Sequence, residues 1–582
     1  MTDSQTPVLK HAQRLRQLAA ARQRILSLPA DKAMTTILEH PQPAALVHSF
    51  PEEDLFFLIH DIGPDEALQL ITLASNRQWE YFLDMQGWKH GQMDYPSVTA
   101  WLQLLLRADP DRLVKWCLED KLEFLELYLF RNIELRVRET DQTPSDFRDG
   151  FFTDDDTYYV RLVDYPTTTA EEEAFKARRD AMLNQLLNRL SFFDHARYQG
   201  LLMEAIHVIP AETEEELYRL RNVRLGEKGF LPFHEAVGVY QPLRPGDLAA
   251  RGKKIIRSAP AGEFGSSTPQ LAATFLDEDN LFVRALKGIH ESPVMERLQA
   301  ELAGLCNQVI SADQEVIVGR SQLQSVVTRV SGYLSIGLEH LTGGEPANRE
   351  AKASTLLQRH LLEDIFRIGF AGALKLHWDA VRWRETSWCQ SQELALTFWD
   401  EAWLGLLGGL LIDRPKYYDP SMVGTNYRDF RTREEIETAR DRLDQLIALD
   451  RVFKEMQTSV KAFADGRFLT YKNLLLTLWA RAWLNLPPMN LATTTIAVPL
   501  SEFQQFYKTL WTIQADRRLV DDAKKNEFLQ WIAEVSGQPP EDLSDRLGSV
   551  FEDLFSEIGR ELGPVKSGNL EPRYVQLFIL KH

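Results

Sequence analysis

The chain has 582 residues, more than one hydrophobic core usually fills, so several domains are expected. Its 66 Lys and Arg against 84 Asp and Glu give a formal net charge of −18, which opposes non-specific contact with nucleic-acid phosphates. The three cysteines, Cys117, Cys306 and Cys389, are odd in number and far apart, which excludes a disulfide framework and zinc-ligand spacing and points to a reducing, cytoplasmic setting.

The first segment lacks the unbroken apolar stretch of a secretory signal. Between Lys10 and Leu28, Leu15, Leu18, Ala19 and Leu26 fall near one helical face, with Arg14, Arg16 and Arg24 elsewhere. A surface helix is expected there. A recurring punctuation follows: proline, acidic residues, then an apolar run. Its instances are Pro51-Glu52-Glu53-Asp54-Leu55, Pro64-Asp65-Glu66-Ala67-Leu68 and Pro110-Asp111-Arg112-Leu113, with Pro96-Ser97-Val98 a weaker member. Proline at the first helical position loses no hydrogen bond, and acidic side chains in the first turn favour the positive end of the helix dipole. Units this short cannot bury an apolar face alone, so they are expected to stack into a superhelical array. The runs His48-Ser49-Phe50-Pro51-Glu52-Glu53-Asp54-Leu55 and Asp61-Ile62-Gly63-Pro64-Asp65-Glu66-Ala67 resemble the short-helix repeats in the cytosolic N-terminal domain of MgtE-type magnesium transporters. That resemblance covers about a fifth of the chain and is one of repeat style. No membrane domain follows it, and no magnesium-sensing residue carries over.

Beyond Arg138, residues 149–163 place aromatic and β-branched runs on either side of Asp154-Asp155-Asp156, the pattern of a β-hairpin. Three adjacent carboxylates lack the alternation of a calcium loop and read as a solvated turn. Helices are expected over 170–190 and 196–208. The stretch Glu214-Glu215-Glu216-Leu217-Tyr218-Arg219-Leu220-Arg221-Asn222-Val223-Arg224-Leu225-Gly226, then Gly229-Phe230-Leu231-Pro232-Phe233-His234-Glu235-Ala236 through Tyr240-Gln241-Pro242-Leu243, is the most idiosyncratic. Together with the layout of the whole chain it resembles an uncharacterised bacterial family known only as a domain of unknown function, a resemblance that implies no activity.

Residues 244–270, rich in Pro, Gly and Ser around Arg251-Gly252-Lys253-Lys254, form the best linker. Helical patterns then run over 271–289, 294–310, 316–341, 351–371, 399–412, 433–462, 469–486, 500–514, 521–535 and 542–562. A loop spans 413–430, and a strand or docking tail lies near 574–580. Asp400 and Glu401 precede the apolar run 402–412, and Arg481 interrupts 474–486. Neither is the ~20-residue apolar span a membrane requires, so no membrane insertion is expected.

Catalytic spacing is absent. Gly246 to Lys254 comes nearest to a phosphate loop, but five residues separate its glycines and Lys254 stands where a hydroxyl is needed. His234-Glu235 and His290-Glu291 lack the second histidine of a zincin helix, and His360 with Glu363 has no companion pair. No catalytic residue, cofactor or metal site is assigned. One loop has the composition of a recognition patch: Arg414, Lys416, Tyr417 and Tyr418 are basic and aromatic beside an apolar helix. The alternative is that its tyrosines pack onto that helix.

The expected architecture is mainly α: a superhelical array of short helices at 1–140, a β-hairpin with helices at 141–243, the linker at 244–270, and helical domains at 271–415 and 416–582. The expected role is a cytoplasmic helical scaffold or regulatory protein whose partner is another protein and not nucleic acid. The alternative is an enzyme or small-ligand or divalent-cation sensor with its site between helical domains.

Overall fold

Short helices with strong stop signals dominate the first 132 residues. The structure, a computed structural model, describes residues 5–581 except 90, 148, 252–253, 255–268, 277–278, 316, 318, 344–347, 423, 425, 457–459, 461–468, 488–495 and 515–516. Pro110 opens the helix Pro110–Asp120, whose cap Asp109 accepts from the Arg112 amide at 3.2 Å. Ser75 and Gln78 close a capping box on Asn76–Gln86, fixing that start. Pro51 is itself the cap of Glu52–Ile62, and Gly63 ends it at φ 105°, a left-handed conformation natural to glycine. Pro64 begins a turn, and the helix Leu68–Leu73 starts only after Ala67. The elements pack on next-but-one neighbours: Ala30–Leu38 on Glu52–Ile62, Glu52–Ile62 on Asn76–Gln86, and Leu68–Leu73 on Tyr95–Ala108. Leu55, Phe56, Ile59, Trp79 and Phe82 are completely buried by this stacking. Each such side chain contributes roughly 1.5–3 kcal/mol of hydrophobic stabilisation.

Two compact units are present. The first comprises Met1–Gln241, Gly246–Leu334 and Leu341–Arg367. After the short helices, its strand Ile133–Val137 pairs antiparallel with Tyr158–Leu162. The hairpin expected within 149–163 keeps a Phe152–Val160 bridge, but its longer ladder is made with Ile133–Val137. The reason is local. The Asp155 carboxylate accepts from the amides of Thr157 and Tyr158, both at 2.9 Å, and closes the acidic run into a turn that leaves little strand on its near side. The helices Ala170–Phe193, His195–His207 and Pro210–Gly226 follow, the first capped by Thr169 with Glu172 and the second by Asp194.

Several expected helices are interrupted. The pattern over 271–289 divides into Leu271–Thr274 and Leu281–Lys287, the latter restarted by the Asn280 side chain on the Val283 amide. The pattern over 351–371 divides into Arg349–Arg359 and Leu362–Thr386, with His360 extended at ψ 154° between them. His360 and Glu363 therefore do not share one helix.

The second unit comprises Pro242–Pro245, Ser335–His340 and Ile368–His582. One aromatic cluster joins Trp388, Phe398, Trp399 and Phe453, with Trp403 and Tyr471 alongside. A second surrounds Trp479 with Phe506, Phe528 and Phe555. The helix expected over 500–514 ends at Thr509, and Trp511–Gln514 turns into a strand paired with Arg517–Val520. At the far end Leu580–Lys581 lies parallel to Val498–Pro499, while 574–579, expected as a strand or docking tail, is turn and irregular chain. The apolar runs near 402–412 and 474–486 are the short helices Asp400–Leu410 and Tyr471–Trp483. Among the described residues, no helix is long and apolar enough to cross a membrane.

Candidate functional site

The idiosyncratic stretch around residues 224–240 is a row of long-range contacts inside the first unit. Arg224 forks onto Asp84, Nε to Oδ2 at 2.7 Å and Nη2 to Oδ1 at 2.8 Å. The Lys228 ammonium lies 2.7 Å from Glu52 and 3.5 Å from Glu53. The Lys228 carbonyl accepts from Asn307 at 2.8 Å, and the Tyr240 hydroxyl donates to Asp313. Gly229 has φ 88°, and a β-carbon on it would stand 2.6 Å from the Gly304 carbonyl oxygen, so both conformation and space require glycine.

These contacts recast the acidic punctuation. Glu52, Glu53 and Asp54 are buried, not spread over a solvated helix start. The Asp54 carboxylate accepts from the amides of Gln270 at 2.9 Å and Leu271 at 3.1 Å, capping the short helix Leu271–Thr274 from another part of the chain. Burial pushes the Asp54 carboxyl up to about 7, opposed by those two amides. Burial also raises Glu53, with Lys228 pulling it down.

Above this clasp, a groove of about 310 Å³ runs between the helices Asn76–Gln86, Pro110–Asp120, Leu122–Asn132 and Pro210–Gly226. Leu83, Trp88, Phe124 and Leu217 contribute its apolar wall. Leu122 and Leu220, 40% and 36% exposed, stand open to solvent. Its floor is a chain of ion pairs in which Lys121 meets Glu80, Glu80 meets Arg224 at 3.1 Å, and Arg224 meets Asp84. Burial raises the Asp84 carboxyl against the pull of Arg224. Burial works to lower Arg224, but Asp84 and Glu80 outweigh it and hold it above its ordinary value. Both cations of the lining are thereby neutralised. Glu119, Asp120 and Glu123 remain on the rim without an ion pair among the described residues. The arrangement is an apolar slot with an acidic edge.

The loop residues singled out by composition lie in the second unit. Tyr417–Tyr418 pairs with Tyr427–Arg428 in a two-stranded ladder. Lys416 is ion-paired to Asp429 at 2.7 Å, and Arg428 lies over the Tyr417 ring while bonding to Asp419 and Glu435. The Tyr418 ring sits where Gly405 has no side chain, and Tyr427 sits likewise over Gly408. Arg414 is half-buried at the start of the loop. The four residues are together, with Tyr418 seated on the Asp400–Leu410 helix and Tyr417 against Phe430 and Arg428.

Lys254 is ion-paired to Glu301 at 2.6 Å, whereas Gly252 and Lys253 of the same run, and most of the 244–270 linker, lie outside the described residues. Among the described residues, no group of three His, Cys, Asp or Glu side chains is placed to hold a metal ion. The groove escapes sequence reasoning because its walls come from four helices, Asn76–Gln86, Pro110–Asp120, Leu122–Asn132 and Pro210–Gly226. The signal available is the pair of exposed leucines, one beside the acidic stretch 119–123 and one on the Glu-rich helix beginning at Pro210.

No curated protein and no solved structure matches the chain. The match that exists is to a family model spanning residues 10–581, so it takes in both units and the clasp stretch together. On that coverage, the chain belongs to the family of unknown function DUF6178.

Proposed function

We propose that the chain is a helical interaction protein that receives a basic, amphipathic segment of another protein in the groove beside Leu122 and Leu220. The observation that carries this reading is the pairing of two exposed leucines with three rim carboxylates, Glu119, Asp120 and Glu123, that have no ion-pair partner among the described residues. An apolar anchor in the slot and Lys or Arg side chains on the rim satisfy both features. Nucleic acid is disfavoured by the same carboxylates. The buried, unpaired cysteines support work in a reducing compartment such as the cytoplasm.

The test places a photo-crosslinking residue at Leu220 in the full chain, in native cells, and identifies what is captured. The expected capture is a stoichiometric protein joined through a Lys- or Arg-rich amphipathic helix. Its recovery falls with salt and drops roughly tenfold when Leu122→Asp is added. Capture that is insensitive to both salt and Leu122→Asp, or no capture at all, overturns the reading.

A further inference from the structure

A second cavity, of about 690 Å³, lies where the Tyr95–Ala108 helix meets the segment 165–167 and the Ala170–Phe193 helix. Its walls are mostly apolar and aromatic: Tyr95, Pro96, Tyr165, Pro166 and Phe175. The size suits a small molecule rather than a protein side chain.

Its polar groups are unevenly committed. Lys176 is ion-paired to Asp164, and Glu172 accepts from the amides of Thr168 and Thr169 as part of a helix cap. Arg179 is buried beneath the Tyr165 ring, its guanidinium 4.8 Å from the ring centroid, and it bonds to the Val163 carbonyl and to Asp180. The Tyr165 hydroxyl donates to the Arg131 carbonyl at 2.5 Å, which holds the ring as a wall. The Tyr95 hydroxyl is buried beside the exposed Arg131 guanidinium, which makes no ion pair among the described residues. Both line the same cavity, and Arg131 lowers the Tyr95 phenol against its burial and the nearby Glu214 carboxylate. Glu171 is the one uncommitted carboxylate among the described lining residues, exposed at the mouth.

We propose that this cavity binds a small planar aromatic anion of the aryl carboxylate class, its ring against Tyr95, Tyr165 and Phe175 and its carboxylate on Arg131 and the Tyr95 hydroxyl. A neutral aromatic without an acceptor leaves the buried hydroxyl unsatisfied and forgoes the attraction of the Arg131 charge. A cation meets Arg131 and Arg179. An aliphatic acid satisfies the donors but forgoes stacking on the ring faces. Arg179, fixed under Tyr165, keeps that wall electropositive from behind.

Calorimetric titration of the full chain with 2-naphthoate and with the uncharged 2-naphthamide tests the assignment. The acid binds saturably, and the amide binds roughly tenfold more weakly, as loss of a charge-assisted bond requires. Arg131→Gln removes the preference for the acid. Tyr165→Ala weakens both ligands, while Tyr165→Phe, which keeps the ring, retains binding. Absence of saturable binding by the acid at millimolar concentration, equal affinity for acid and amide, or affinities unmoved by both Arg131→Gln and Tyr165→Ala overturns the proposal. The Leu122→Asp groove variant leaves the titration unchanged, so this result and the crosslinking result stand apart.

Discussion

Lys228 places its ammonium 2.7 Å from the carboxylate of Glu52, a residue 176 positions earlier in the chain. The same ammonium is the cation that offsets the burial of Glu53. Arg77 also reaches Glu52, at 2.6 Å, but from a mostly exposed position. Lys228 is therefore the inner counter-charge for two buried acids. Lys228→Met leaves Glu53 without its cation and Glu52 with only the exposed Arg77, and is expected to cost about 3 kcal/mol, the scale for removing one member of a buried pair. Denaturant unfolding of the full chain measures it. Arg77→Met, which removes only the exposed cation, is expected to cost less than about 1 kcal/mol.

Asp54 carries a distinct pH signature. Its carboxyl titrates at about 7 in the folded chain, far above the ordinary aspartate value of 3.8. Between those values the unfolded chain has released the proton and the folded chain retains it. Stability from this group is thus fully present at low pH and declines as pH rises from about 4 to about 7, by about 1.4 kcal/mol for each pH unit crossed. Asp54→Asn removes that decline. Relative to wild type, the variant gains stability steadily from pH 4 to 7 and holds level above 7. A difference that is flat in pH contradicts the assignment.

Gly229 and Gly304 face each other but differ in what they tolerate. Gly229→Ala drives a methyl to within 2.6 Å of the Gly304 carbonyl oxygen at a positive φ, and a loss of about 2 kcal/mol or more is expected. Gly304 lies in the helix Ser292–Asp313 with nothing within 4 Å of its own β-carbon position. Gly304→Ala is expected to stabilise by roughly 0.5–1 kcal/mol through helix propensity. Melting or denaturant midpoints of the two variants should move in opposite directions.

In the second unit, Gly409 is the stricter partner of the 417–428 ladder. A β-carbon there stands 2.4 Å from the Lys416 carbonyl oxygen, which is backbone. At Gly408 the nearest atom is the Tyr427 hydroxyl oxygen, the far end of a side chain that can swing aside. Gly409→Ala is expected to speed hydrogen exchange at the Lys416 amide, which donates to the Gly409 carbonyl at 2.8 Å. Gly408→Ala leaves it slow.

The helices are legible in the residue pattern where the period is clean. The expected 170–190 and 196–208 correspond to Ala170–Phe193 and His195–His207. Ile133–Val137 carries a legible strand signal too, since Ile133, Leu135 and Val137 alternate with Glu134 and Arg136, yet the helical run before it masks the change of period. The break at His360 is not legible, because Leu357, Leu361, Ile365 and their neighbours keep one apolar period through it, whereas the restart at Leu281 has a signal in the polar residues before it, the last of which is the capping residue Asn280. The burial of Glu52, Glu53 and Asp54 lies further out of reach. A first-turn acidic run has the same local appearance whether it faces water or faces Lys228 and the amides of 270–271. Only the fold brings those partners near. The groove shares this property, being assembled from helices that begin at Asn76, Pro110, Leu122 and Pro210.

The four-residue helix Leu271–Thr274 is too short to nucleate itself, since one turn fixes several dihedrals for a single hydrogen bond. Its opening amides are held by Asp54, across 216 residues of chain. It therefore forms as a late reporter of assembly rather than as a local event. During refolding, the Gln270 and Leu271 amides are expected to acquire protection only once the Glu52 helix has reached them, so two backbone protons time the closure of that contact.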